Sequence, residues 1–397
     1  IGINVPPGFT ITTEVCNYFI ENKEMPKNFD KELKASLKKL EEYSGKKFGI
    51  SDNPLLLSVR SGGKISMPGM MDSILNIGLN DENVEHLSKV FNDEKFALDS
   101  YRRLIQMYGN VVLGIEHTRF EAVLNNKKRI DNIDSDSDFN PQQLKWIIDA
   151  YKNTVERFSN SPFPQDPHEQ LTGSIEAVFK SWLNKRAATY RKINNIPDTL
   201  GTGATIQTMV FGNLNEKSGT GVAFTRFPST GKNELYGEYL MNAQGEDVVA
   251  GLRTPFPIGK HEKNKELSLE EENPKLFKDI KDIANKLENH YKEVQDIEFT
   301  IENDILYLLQ TRKAKRTAQA SVKIAVDMHK EKKVTKKEAL NMVDADSITA
   351  ILHPQFIDEQ KKKIFGKGLN ASPGAAFGEI VFDADKAEEE ANKGRNV

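Results

Sequence analysis

A single cysteine, Cys16, stands in 397 residues, so no internal disulfide can form and a reducing compartment suits the chain. A lone cysteine is ordinarily a small buried apolar residue, and no chemistry is assigned to it. Excess charge of either sign is missing too: 55 Lys+Arg stand against 58 Asp+Glu, a formal net charge of −3. Nothing in that balance points to nucleic acid or to an anionic membrane surface. No apolar run approaches a transmembrane span, and the first residues lack the basic-then-apolar pattern of a signal. Internal repeats and low-complexity tracts are absent as well. What remains is length enough for two or three domains, each with its own core. Both ends read as cuts. Ile1-Gly2-Ile3-Asn4-Val5 begins without an initiator Met, and Gly394-Arg395-Asn396-Val397 stops where a strand would start.

The stretch from Asp296 to Arg312 carries the most chemistry. It reads as two strands joined at the turn-prone Glu302-Asn303-Asp304. Residues i and i+2 of a strand share a face, so Asp296, Glu298 and Thr300 line one side and Ile297, Phe299 and Ile301 the other. In a tight hairpin Gln310 and Arg312 fall beside Asp296 and Glu298. Two adjacent carboxylates repel unless a hard cation lies between them, and Mg²⁺ on nucleotide phosphates is the usual one. Arg312 would hold phosphate oxygens through charge-assisted hydrogen bonds. Taken alone, the pattern favours an edge hairpin with a solvated face; the rest of the chain reverses that preference.

Residues 1–60 read as strand, helix, helix, strand, with a helix over about Lys31–Tyr43 and a buried strand at Leu55-Leu56-Leu57-Ser58-Val59. Arg60-Ser61-Gly62-Gly63-Lys64-Ile65-Ser66-Met67-Pro68-Gly69-Met70-Met71 follows. Its glycines let backbone N–H groups approach an anion, and Arg60 and Lys64 supply charge. It lacks the Gly-Lys-Ser/Thr ending of a Walker loop, and a plain inter-domain loop fits the composition equally well. From about 81 to 194 the pattern is helical, including Phe96–Tyr108, Gln142–Phe158 and one long helix from Asp166-Pro167 to about Lys192. Arg102-Arg103 reads as a solvated face, and Trp146 and Trp182 as core. Thr205–Gly212 is a strand, and Ser218-Gly219-Thr220-Gly221 a glycine-rich turn feeding another. Asn273-Pro274 caps a helix with Leu276, Ile280, Ile283, Leu287 and Tyr291 on one stripe. With the hairpin this makes a sheet of three to four strands under a helix. A basic helical segment runs to about Lys333 and helical pieces continue to Lys363, the 366–382 stretch holds a strand ending at Phe382, and a helix starts at Asp385.

Several of these blocks, in this order, resemble the N-terminal part of the pyruvate phosphate dikinase family, over essentially the whole chain. They are Ser58-Val-Arg-Ser-Gly62 with Ser66-Met-Pro-Gly-Met-Met-Asp72, Gln207-Thr-Met-Val-Phe-Gly-Asn213, Asn242-Ala-Gln-Gly-Glu-Asp-Val-Val-Ala-Gly251, and Glu298–Glu302 with Leu309-Gln-Thr-Arg312. The Ser66–Asp72 block is unlike that of the phosphoenolpyruvate synthases. Gly63-Lys64 depart from the family's usual Ala-Arg, and Phe227 from its usual Asn.

The resemblance implies an α+β chain. An ATP-grasp domain spans 1–312, with two sheet-containing subdomains and a helical insertion at about 80–195. A helical connector at 313–365 and an incomplete swivelling phosphohistidine domain at 366–397 follow. It places MgATP between the sheets, with Arg60 and Arg312 on phosphates and catalytic together with Glu298. Asp296, Glu298 and Gln310 are the implied metal ligands. Gln207, the backbone of Met209 and Val210, and Glu246 are implied for adenine and ribose. Ser66, Gly69, Met70 and the Gly219-Thr220-Gly221 turn are implied to close over the phosphates. Arg102 and Arg103 are implied, more weakly, to dock the swivelling domain.

The implied reaction interconverts ATP, phosphate and pyruvate with AMP, diphosphate and phosphoenolpyruvate through a histidine carried to a pyruvate-binding barrel. The implied enzyme is a cytoplasmic homodimer, with plastid or glycosome as alternative locations and neither nucleic acid nor membrane as partner. The family's phosphate-binding lysine is expected before Ile1 and its carrier histidine beyond Val397, since none of the seven histidines here has the right context. This stretch alone is therefore not expected to turn over. The alternatives are a related dikinase of the phosphoenolpyruvate synthase type, or a short non-catalytic ATP-binding protein.

Overall fold

The computed structural model describes residues 2–63, 65, 67, 69–249, 253–260, 267–345, 377–382 and 384–397. Four antiparallel strands make the first sheet, in the order β1-β4-β2-β3: β1 (Gly8–Ile11), β2 (Leu57–Gly62), β3 (Ser73–Ile77) and β4 (Gly203–Thr208). Helices α1 (Thr13–Asn22) and α2 (Phe29–Ser44) lie between β1 and β2. Between β3 and β4 the chain is helical throughout: α3 (Asn83–Phe91), α4 (Glu94–Val111), α5 (His117–Asp131), α6 (Pro141–Ser159), α7 (Pro167–Ser181) and α8 (Lys185–Ile193). The apolar run Leu55–Leu57, with Val59, is buried against β3 and these helices in one continuous core that also takes in Cys16.

The second sheet has five antiparallel strands, not three to four, in the order β7-β6-β5-β8-β9. They are β5 (Gly219–Phe224), β6 (Tyr236–Met241), β7 (Phe256–Pro257), β8 (Gln295–Glu302) and β9 (Ile305–Lys313). Helices α9 (Gly245–Val249), α10 (Leu269–Glu272) and α11 (Pro274–Tyr291) intervene, and α12 (Ala318–Lys330), α13 (Lys336–Asn341) and α14 (Ala384–Asn392) follow. The Asn273 side chain accepts the Leu276 N–H, as the Asn-Pro pair predicts. Leu276, Ile280, Ala284 and Leu287 cover Ile297, Phe299, Ile301, Leu306 and Leu308 of the hairpin. Tyr291 ends the helix half exposed and leaves that stripe.

Other expectations fail for local reasons. Trp146 is exposed, because the buried stripe of α6 is Leu144, Ile147, Ile148, Tyr151 and Val155, and position 146 falls off it. Lys127 covers its ring at 5.0 Å. The long helix from Asp166 breaks after Ser181. There Trp182 donates its indole N–H to the Asp198 carbonyl at 2.9 Å and stacks under Arg191. The Gly219-Thr220-Gly221 stretch is the first half of β5 rather than a turn. A Cβ on Gly221 would sit 2.5 Å from the Phe299 ring and 2.7 Å from the Glu238 carbonyl, so the glycine answers to close strand packing. Gly221→Ala should therefore destabilise the protein by about 1–3 kcal/mol in chemical denaturation. Residues 377–382 form no strand, and the rest of that expected element lies outside the described residues, as does all of the expected connector after Ala345.

Candidate functional site

Alternation and a turn build the site. Asn303 and Asp304 have φ of 51° and 64°, the left-handed pair that a two-residue hairpin loop requires. The register then sets Asp296 opposite Arg312 and Glu298 opposite Gln310. It shifts just past Glu298, where Phe299 pairs with Leu308, so Leu309 is the extra residue of a bulge. This shift keeps Gln310 and Arg312 level with the two acids while Leu306 and Leu308 stay in the core.

Arg312 donates from Nε to Asp296 at 2.7 Å, and its Nη2 lies 3.4 Å from Glu298. Arg60 comes from the first sheet and donates from Nη1 to the other Glu298 oxygen at 3.3 Å. One carboxylate thus ties the two sheets together, and the buried Arg60 Nε has no partner. Burial pushes the Asp296 carboxyl above its ordinary value; the Arg312 guanidinium opposes the shift, and neighbouring Glu298 adds to it. Two guanidiniums and two carboxylates that balance each other can exchange partners, the cations for anionic oxygens and the acids for a hard cation. Among the described residues no cluster of three or more His, Cys, Asp or Glu is poised for a metal. A metal held here would rest on Asp296 and Glu298, with the Gln310 amide beside them.

Arg60, Glu298, Gln310 and Arg312 border a cleft of about 1200 Å³ between the sheets, which also reaches Gly69, Thr220 and Gly221, whereas Asp296 is not among its lining residues. A narrow slot adjoins it, sharing Arg60, Leu75, Gly245 and Leu309 with the cleft and lined by Gln207, Met209, Val210 and Gln244. The Gln207 amide donates to the Pro6 carbonyl at 3.1 Å, and the Met209 N–H to the Leu56 carbonyl at 2.9 Å. Thr220 donates its hydroxyl to the Phe299 carbonyl. Gly69 has φ +69° with open space around it, whereas Met70 packs beside Trp182. Gly219 lies in β5 and borders neither cavity. Ser66 and the Glu246 side chain lie outside the described residues.

Sequence reasoning missed three features. Arg102 is buried, bound to Asp99 and Gln106, and Arg103 joins Asp99 to Asp247 on α9 at 3.0 Å. The pair is therefore no solvated face. Desolvation alone would raise the Asp99 carboxyl, but the two guanidiniums hold it well below the usual range. Gln244 is buried, its carbonyl oxygen unpartnered and its amide nitrogen on Asn213. Glu302, at the end of β8, accepts the Phe211 N–H at 2.6 Å. No spacing signal links positions 103 and 247, or 211 and 302.

Fold and cleft define a mixed α and β protein with a charge-balanced cleft between two antiparallel sheets. A family model described as "Pyruvate phosphate dikinase, AMP/ATP-binding domain" matches residues 20–275 and 256–333, and the chain belongs to that family. It is 48% identical to pyruvate, phosphate dikinase of Rhizobium meliloti (strain 1021) over 100% of its own length and 45% of the relative's. Against the Clostridium symbiosum enzyme the identity is 47%, over 100% of this chain and 45% of the relative. Against pyruvate, phosphate dikinase 1, chloroplastic, of Arabidopsis thaliana it is 46%, over 100% and 41%. The chain thus spans less than half the length of these relatives. Among the described residues no helix is long and apolar enough to cross a membrane.

Proposed function

We propose that this chain is the nucleotide-binding part of a pyruvate phosphate dikinase, an ATP-grasp domain that holds MgATP between its two sheets. The observation that carries this reading is the Arg60–Glu298–Arg312–Asp296 cluster, three of whose members line the cleft. Arg60 and Arg312 bind phosphate oxygens, and the purine enters the slot at Gln207, Met209 and Val210, with Glu246 on the ribose. Asp296 and Glu298, assisted by Gln310, hold Mg²⁺, which supplies neutralisation of the phosphate charge. Two carboxylates and an amide suit an ion that keeps phosphate and water oxygens as its remaining ligands. Phosphoryl transfer depends on positioning and charge neutralisation, and the two guanidiniums provide both. Thr220 and Gly221 line the cleft from within a strand, and Gly69 lies over the phosphates.

In this reading residues 1–312 form the ATP-grasp domain, 313–365 a connector and 366–397 the start of a swivelling phosphohistidine domain. The carrier histidine and the pyruvate-binding barrel complete the enzyme, which works as a cytoplasmic homodimer. The overall reaction converts ATP, phosphate and pyruvate to AMP, diphosphate and phosphoenolpyruvate, and runs in either direction. The test is to supply the full-length protein with ATP, pyruvate and ³²P-labelled phosphate. Label should appear in diphosphate as AMP forms. Label remaining in phosphate while AMP accumulates would mean a dikinase that passes phosphate to water instead.

Acidity should act on the same site. Ionised Asp296 is the metal-binding form, and burial raises its pKa. MgATP affinity should fall as pH drops through that raised value, beginning above the ordinary aspartate range. Titration of MgATP binding from neutral pH downward checks this.

A further inference from the structure

β8 carries acidic side chains at both ends of one face. Asp296 and Glu298 stand at the cluster with Arg312 and Arg60. Glu302 stands at the other end, where the chain crosses from the first sheet to the second. Four residues of strand separate Glu298 from Glu302, or roughly 13 Å. That is about the reach from the outer phosphates of a nucleoside triphosphate to its purine.

The crossing segment is held from two sides. Phe211 is buried in the first core, its ring edge-on to Phe91 at 5.6 Å and to Phe96 at 5.0 Å. Its N–H points the other way and is taken by the Glu302 carboxylate at 2.6 Å, a charge-assisted bond. The hairpin tip grips the same crossing further on. Asn303 donates its N–H to the Ser218 hydroxyl, Asp304 donates its N–H to the Lys217 carbonyl, and Asn215 donates its amide to Asn303.

This grip fixes a peptide plane. The described residues contain no cis peptide, so the Val210 carbonyl points opposite to the Phe211 N–H and away from Glu302. Val210 lines the slot, and no described group donates to its carbonyl. We infer that Glu302 is a positioning residue for the base: by holding the Phe211 N–H it turns the Val210 carbonyl into the slot as an acceptor for a 6-amino purine. The inference rests on the nucleotide reading of the cleft and deepens it. Glu302 touches no ligand atom. It acts through the peptide it orients, and the same strand that sets the phosphates sets the base.

A carbonyl acceptor favours the amine of adenine over the 6-oxo group of hypoxanthine, since two facing acceptors repel and neither supplies a proton. The experiment measures the ATP-dependent half-reaction of the full-length protein with ATP and with inosine triphosphate, for the wild type, Glu302→Gln and Glu302→Ala. Glu302→Ala should raise the KM for ATP about tenfold with kcat little changed, and should narrow the ATP-to-inosine-triphosphate preference by a similar factor. Glu302→Gln keeps an acceptor for the Phe211 N–H and should restore most of both. If Glu302→Ala does not fold, Glu302→Asp carries the test, since its shorter side chain withdraws the acceptor without removing the charge. An unchanged purine preference in Glu302→Ala (or Glu302→Asp), or a Glu302→Gln no better than alanine, overturns the inference. The nucleotide reading is separable: it fails only if Asp296→Asn and Glu298→Gln also leave ATP-dependent phosphorylation intact.

Discussion

Asp296→Asn, Glu298→Gln or Arg312→Ala in the full-length protein should abolish phosphorylation of the carrier histidine from ATP, while the phosphoenolpyruvate half-reaction survives. The expected loss is at least about a hundredfold for each, the scale seen when one charge-stabilising group is removed from a pre-organised site. Asp296 and Glu298 are the two acids within reach of Arg312, so neutralising either halves the charge available to a cation there. Removing Arg312 takes away a cation for the phosphates and leaves Asp296 buried without its guanidinium, which drives its pKa higher still. Transfer of ³²P from the outer two phosphates of ATP reads the first half-reaction, and transfer from labelled phosphoenolpyruvate reads the second. Label arriving from ATP in all three variants would remove these residues from the site.

Arg103→Met should destabilise the protein by about 3 kcal/mol and weaken ATP binding. Arg103 bridges Asp99 on α4 and Asp247 on α9, and both acids are shielded from water. Removing one member of a buried ion pair strands the other charge, at a cost of roughly 3–5 kcal/mol. Asp247 also accepts the Gln244 N–H that opens α9, so the loss loosens the helix beside the slot. Beyond that loss, the stability the variant gives up on acidification should be smaller than in the wild type. Asp99 is depressed in the folded state by Arg102 and Arg103, so its contribution is present above its unfolded pKa and disappears as pH falls through the folded value. With one guanidinium gone the folded pKa rises, and that contribution shrinks. Denaturant melts at neutral and acid pH, with nucleotide titration of the same variant, measure both effects.

The hairpin was legible because a period of two and a turn pair are local signals, but the bulge at Leu309 that brings Gln310 and Arg312 level with Glu298 and Asp296 has no such signal. The Asn273 cap was legible for the same reason. What escaped was set by distant partners. Arg102 and Arg103 look solvated in sequence because charged pairs usually are, yet Asp247, 144 residues on from Arg103, makes burial of the guanidinium tolerable. Glycines at 219 and 221 signal a turn by composition, while the Phe299 ring and the neighbouring strand backbone demand them inside a strand. Trp146 reads as core by residue type, although the helical period of its own segment points it outward.

The most direct test of the central claim is the structure of the full-length protein with Mg²⁺ and a non-hydrolysable ATP analogue. The account predicts the purine in the slot at Val210, phosphate oxygens on Arg60 and Arg312, and the metal about 2.0–2.1 Å from oxygens of Asp296 or Glu298. Nucleotide bound away from the hairpin, with the Arg60–Glu298 and Arg312–Asp296 pairs still closed on each other, would contradict it.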